Sequence, residues 1–191
     1  MTLAKRHMFG WVVISLLSST LPAFAAGANP PAASPPPPPP PPPPASPAKA
    51  CAAPEYRQFD FWIGEWNVTD PRGRAAGTNS VTREHDGCVL HEHWEGAKGG
   101  TGSSFNIYDS TDKRWHQTWV DNVGTLLELE GGLVEGRMVL EGKGSGPKGE
   151  PLVNRIAWEK LLDGRVRQTW TVSSDGGASW TVSFDGFYTR K

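Results

Sequence analysis

Two acidic, aromatic runs are where this chain could do chemistry. Cys88 to Glu95 reads Cys-Val-Leu-His-Glu-His-Trp-Glu, and Arg114 to Asp121 reads Arg-Trp-His-Gln-Thr-Trp-Val-Asp. Glu92 and Asp121 alternate with tryptophans. Burial among indoles would raise a carboxylate's pKa towards the range of a general acid or base. His91, His93 and His116 offer the three imidazoles of a catalytic zinc site. Cys51 and Cys88 are the only two cysteines in the chain, and they read either as a disulfide or as a site containing a nucleophilic thiol. The choice in each case depends on the face that each residue occupies.

The elements that set those faces are strands. From Trp66 to the end of the chain the hydrophobic period is two, with no long helical pattern. Strands are expected over about Gly64–Thr69, Asn79–His85, Cys88–Glu95, Ser103–Asp109, Arg114–Val120, Thr125–Glu130, Gly136–Gly142, Leu152–Lys160, Val166–Val172 and Ser179–Thr189. Turn signals separate them, among them Asp86-Gly87, Glu135-Gly136, Asp163-Gly164 and Asp175-Gly176-Gly177. Ten short strands joined in this way predict an all-β, antiparallel up-and-down barrel, since closure removes the exposed edges of a long meander. Ahead of them, Pro54 to Trp62 can make about two helical turns, with proline at the helix start and Glu55 near its positive end. This segment is a candidate plug for one barrel end.

Alternation then assigns faces. Trp115, Gln117, Trp119 and Asp121 share one side of their strand, and Val166, Gln168, Trp170 and Val172 share one side of theirs. Leu90, Glu92 and Trp94 form a third set, and Trp180, Val182, Phe184, Tyr188 and Arg190 a fourth. Turning the indole-rich faces inward gives an interior in which Glu92, Trp94, Trp115, Gln117, Trp119, Asp121, Gln168 and Trp170 line a candidate ligand site. The same residues could instead fill the interior with a hydrogen-bond network that satisfies indole N–H groups. His91, His93 and His116 fall outside, on strands separated by a third, so no metal site is expected there. Gly144-Ser-Gly-Pro-Lys-Gly149 has the spacing of a dinucleotide-binding loop but is flanked by strands, which excludes that reading.

Composition divides the chain. Met1 to Ala25 has a basic start, a short apolar run and Ala23-Phe24-Ala25 before a cleavage point, the pattern of a signal peptide. Residues 26–50 contain ten consecutive prolines and read as a polyproline spacer. Residues 51–191 form the single folded domain. It carries all 20 acids and 16 of the 19 basic residues, so it is acidic by four charges, and it holds eight of the nine tryptophans. Nucleic acid is a poor partner for such a balance, and no transmembrane segment is expected after leader cleavage. Export to an oxidising compartment favours a Cys51–Cys88 disulfide.

Gly64-Glu65-Trp66 after a short helical segment resembles the G-x-W opening of lipocalins and related calycin barrels. In those folds the tryptophan packs against an arginine near the end of the barrel, which implies a structural trio of Gly64, Trp66 and Arg190. The strings FDFWIGEW, GCVLHEHW, RWHQTWVD and SSDGGASW resemble a bacterial family of secreted lipocalin-like proteins of unknown function. That resemblance spans about Cys51 to Lys191. Nitrobindin, a relative in shape, ligates haem through a histidine late in the chain. No histidine follows His116 here, so no cofactor is implied. Ser173 to Trp180 matches the Asp-box hairpin of sialidase propellers, where Asp175 would cap its turn.

The expectation from sequence is an exported barrel that binds a small, partly apolar molecule in its interior. The alternatives are an enzyme using Glu92 and Asp121 as acid and base, and a structural domain of the cell envelope. Sequence does not specify an oligomeric state.

Overall fold

A computed structural model describes residues 50–191. The expected leader and all but the last residue of the proline-rich segment lie outside the described residues. Ten antiparallel strands run β1 Gly64–Thr69, β2 Ala75–Glu84, β3 Val89–Gly96, β4 Thr101–Asp109, β5 Arg114–Asp121, β6 Leu126–Val134, β7 Arg137–Ser145, β8 Pro151–Lys160, β9 Val166–Ser173 and β10 Thr181–Arg190. Each pairs with its predecessor, and β1 pairs with β10 to close the barrel. The expected closed, antiparallel up-and-down barrel of ten strands is therefore present. Connections are tight. β6 and β7 are joined by Glu135-Gly136, both at positive φ (50° and 81°), the backbone of a type I′ hairpin.

Strand positions agree with the sequence pattern to within a few residues at most ends. The larger differences are at β2, which starts four residues early, and at β6, which runs on to Val134. A bulge at Val68/Thr69 lets the extra β2 residues pair with β1, Thr69 lying opposite Ala75.

The plug consists of two 3₁₀ turns, Pro54–Arg57 and Asp60–Trp62, rather than α-helical turns. Each is too short to complete a run of i→i+4 bonds, and the tighter i→i+3 pattern serves instead. Phe59 and Trp62 are fully buried and stack at 4.9 Å between ring centres. Phe59 also meets Trp158 and Trp115 edge-on, at 5.1 and 5.7 Å. These offset and edge contacts suit the ring quadrupoles. Phe61 packs against the same cluster from a partly buried position.

Covalent and polar ties hold the plug in place. Cys51 and Cys88 form a disulfide, which fastens the chain before the plug to the start of β3. Arg57 donates to the carbonyls of Cys51 and Gly87, and Asp60 pairs with Arg83 on β2. Beneath the plug, Trp66 donates its indole N–H to the Trp62 carbonyl at 2.9 Å. Arg190 lies over the Trp66 ring at 4.6 Å and donates to the Ile63 carbonyl at 3.0 Å. Gly64 has a φ of +149°, and a Cβ there would collide with the Arg190 guanidinium. A residue without a side chain is what lets the arginine cross to the tryptophan.

One sequence expectation fails in β10. Alternation puts Trp180 and Val182 on the inward face with Phe184, but the ladder to β9 shifts between Val182 and Phe184. Ser183 is the extra residue of a bulge, and a bulge reverses the alternation on one side of itself. Val182 is therefore exposed, and Trp180, beyond the end of β10, lies outside under the Arg155 guanidinium at 3.9 Å. Phe184 and Tyr188 remain inside.

Candidate functional site

The plugged end of the barrel is solidly packed, and a cavity of about 220 Å³ lies in the remaining interior. Trp94, Trp119, Trp158 and Trp170 supply four indoles to its wall, with Phe184, Leu127 and Ile156 between them. Glu92, Gln117, Gln168, Tyr188 and Ser183 supply the polar groups.

Glycines seat two of these indoles. A Cβ at Gly102 on β4 would overlap the six-membered ring of Trp119, and one at Gly77 on β2 would come within 2.8 Å of the Trp94 ring. The indoles lie flat over neighbouring backbone because no side chain occupies those points. Trp94 is also braced by Phe184, edge-on at 5.9 Å. Trp170 is held by its N–H, which donates to Asn154 Oδ1 at 3.0 Å.

The polar wall is a directed hydrogen-bond chain on β2 to β5. Gln117 Nε2 donates to Asn106 Oδ1 at 2.8 Å, and Asn106 Nδ2 donates to Ser104 Oγ at 3.0 Å. Ser104 then donates its hydroxyl to Glu92 Oε2 at 2.6 Å, while Asn79 Nδ2 donates to Oε1 at 3.0 Å. All five side chains are buried. Despite these donors, burial pushes the Glu92 carboxyl up to about 7, outweighing the hydrogen bonds from Ser104 and Asn79 that pull it down. Across the cavity, Tyr188 donates its hydroxyl to Gln168 Oε1. Burial, with the nearby Glu92 charge, holds this phenol well above its ordinary value.

Six of the eight residues expected to line a ligand site border this cavity: Glu92, Trp94, Gln117, Trp119, Gln168 and Trp170. Trp115 does not. It is inward, but at the plugged end, where it packs on Phe59 and donates to Gln58 Oε1 at 3.1 Å. Asp121 also falls outside the cavity. It ends β5, and its Oδ1 accepts the backbone N–H groups of Val123 and Thr125 at 3.1 and 2.8 Å. Partial burial pushes its pKa up, but the Thr125 and Val123 hydrogen bonds prevail and leave it below the ordinary value. An acid–base pair of Glu92 and Asp121 is therefore not assembled.

Trp158, Ile156, Leu127, Ser183, Phe184 and Tyr188 complete the wall, and none was assigned to the site from sequence. Alternation was available for β8, where Asn154, Ile156 and Trp158 are buried two residues apart. Only the bulge, invisible to alternation, brings Ser183 to the wall.

The histidines lie on the outer face. His91 donates its Nδ1–H to Glu84 Oε1 at 3.0 Å and stacks on Phe105. His93 meets Ser103. His116 instead faces Asp112 at 2.8 Å, with Asp109 close by. These two aspartates accept backbone N–H groups of Thr111 and Arg114, which makes them caps of the β4–β5 turn. Asp175 caps the β9–β10 turn in the same manner. It accepts from the Ser179 hydroxyl and N–H and from the Ser173 hydroxyl, and these bonds, Ser179 first, hold its carboxyl far below the usual range.

No protein-family model matches this chain, and no curated protein matches it.

Proposed function

We propose that the barrel is a binding protein for one small, partly apolar molecule held in the indole-walled cavity. The observation that carries this reading is the cavity itself. A merely structural network would use the same residues to fill the interior, yet about 220 Å³ stays open beside the hydrogen-bond chain. Apolar cavities of about 150 Å³ accept benzene, whereas drug-sized ligands occupy about 300–1,000 Å³. The volume here suits a body of one or two rings, or a short branched chain. Rigid indoles give contact area at little entropic cost, and the polar wall on one side orients the ligand's polar end.

Export belongs to the same proposal. The leader pattern over residues 1–25 and the Cys51–Cys88 disulfide support it. The four aromatic sequence strings support kinship with the secreted lipocalin-like family, and the proline run would hold the barrel away from its neighbours as a stiff spacer.

A panel of one- and two-ring compounds and short-chain acids, alcohols and amines, read by melting temperature and by protein NMR, tests the binding reading. Hits should shift resonances of Trp94, Trp119 and Trp170 together. They should lose their effect in Leu127→Phe with Ile156→Phe, which fills the cavity. If no compound shifts either readout, the binding reading fails and a structural barrel remains.

A further inference from the structure

We propose that the occupant of the cavity is a small organic cation, an amine or quaternary ammonium on a short apolar or aromatic body, with its charge against Glu92 and its body between the indoles of Trp94, Trp119 and Trp170. This inference rests on the cavity-binding reading above and adds the ligand's charge.

Three observations carry it. Among the described residues, the lining holds one carboxylate and no lysine, arginine or histidine. The acids Asp60, Glu141 and Asp185, at or near the surface, each have an arginine partner, namely Arg83, Arg155 and Arg167. Glu92, the deeply buried acid, has only hydrogen-bond donors acting on it and no cation among the described residues. A buried carboxylate without a counter-charge is costly, and a charge supplied from outside relieves that cost.

The polarity of the network is the second observation. Gln117, Asn106, Ser104 and Asn79 all point their donors down the chain towards Glu92. Such a convergence solvates a carboxylate anion. It leaves acceptors as the free groups of this wall, because Gln117 spends its N–H on its neighbours and the Asn79 carbonyl, buried beside Glu92, has no donor among the described residues. An ammonium group is a cluster of donors and complements such a wall.

The third observation is the π surface. Four indoles and Phe184 surround the space, and the negative faces of aromatic rings attract a desolvated ammonium. A ligand anion would meet the Glu92 charge and no cation. A neutral ligand would leave Glu92 unpaired.

A cation also demands an ionised Glu92, so its affinity should depend on pH around 7. The other titratable group whose field reaches Glu92 is Tyr188 on β10. The side chains bonded to Glu92 from β2 and β4, Asn79 and Ser104, do not titrate. Affinity for a cation should therefore rise from pH 5.5 to pH 8.

Calorimetric titration of the purified protein with matched ligands tests this. One set is phenethylamine, 2-phenylethanol and phenylacetate; the other is choline and its neutral isostere 3,3-dimethyl-1-butanol. In at least one set the cation should bind about tenfold or more tightly than the neutral member at pH 8, and this margin should shrink at pH 5.5. Glu92→Gln should erase the margin. The native protein alone still decides the matter if that variant fails to fold. If the alcohols or phenylacetate bind as tightly as the cations, the charge assignment is wrong while the cavity reading stands. If no member of either set binds, both are wrong.

Discussion

Arg190 stands opposite Trp66 in the β1–β10 ladder, and its guanidinium lies 4.6 Å from the centre of that indole. This contact sits at the seam where the first and last strands close the barrel. The same arginine donates to the Ile63 carbonyl, just ahead of β1, so one side chain ties the chain's end to the base of the plug. The two partners should not weigh equally. Trp66 is fully buried, and Trp66→Ala should cost about 3–5 kcal/mol, the range for removing a large aromatic from a core. Arg190 is exposed, and Arg190→Ala should cost about 1–2 kcal/mol from the lost cation–π contact and hydrogen bond. Urea denaturation of the two variants measures both, and a Trp66→Ala loss below about 1 kcal/mol would contradict this account of the seam.

The disulfide acts on the same end of the barrel, at the start of β3. It closes a loop of 37 residues in separation, spanning the plug, β1 and β2, and should contribute about 3–4 kcal/mol by restricting the unfolded chain. Reduction or Cys51→Ser with Cys88→Ser should lower the melting temperature while far-ultraviolet circular dichroism keeps its β signature, because the β1–β10 pairing is independent of it. Alkylation without prior reduction should label no thiol in the exported protein.

Much of this architecture was legible because each strand follows a period of two between strong turn signals. The barrel and the plug follow from local pattern and from the avoidance of edges, and the cysteine pairing from an isolated pair behind an export leader pattern. Alternation also brought six residues of the cavity wall together. It failed where a face does not settle position along the barrel axis. Trp115 and Trp119 are on the same face of β5, but one is buried under the plug and the other borders the cavity. It failed again at Ser183, since one inserted residue reverses the faces without any sequence signal. Asp121 misled for a third reason. A carboxylate at a strand end can cap the following turn, and its inward parity says nothing of that.

Glu92 should leave a signature in the pH dependence of stability. Its pKa in the folded protein is about 7, above the ordinary value of 4.5. The folded state therefore holds the proton more tightly than the unfolded chain. This group favours folding most below about pH 4.5, and its contribution declines as pH rises to about 7, beyond which both states are ionised. The total change is on the order of 3 kcal/mol for a shift of this size. Glu92→Gln cannot titrate, so the stability difference between variant and native protein should move in the variant's favour by that amount between pH 5 and pH 8. Taking the difference cancels the titration of surface acids such as Asp70 and Asp175, common to both proteins. Equal pH profiles would show that Glu92 is better hydrated than its buried surroundings imply.

The seating of Trp119 over Gly102 gives the most local prediction. A Cβ at Gly102 would overlap the indole, and it would also come within 2.8 Å of the Val120 carbonyl. Backbone cannot yield cheaply, so the ring must swing away from the strand, and the open space it can enter is the cavity. Gly102→Ala should therefore cost about 1–3 kcal/mol, as overpacking does, and should shrink the cavity as well. Gly132 offers the control, because a Cβ there meets nothing within 4 Å. Gly132→Ala should leave stability within about 0.5 kcal/mol of native, like other surface changes. Any compound that binds the native barrel should bind Gly102→Ala more weakly and Gly132→Ala unchanged. If both glycine variants bind alike, Trp119 does not form part of the wall that a ligand touches.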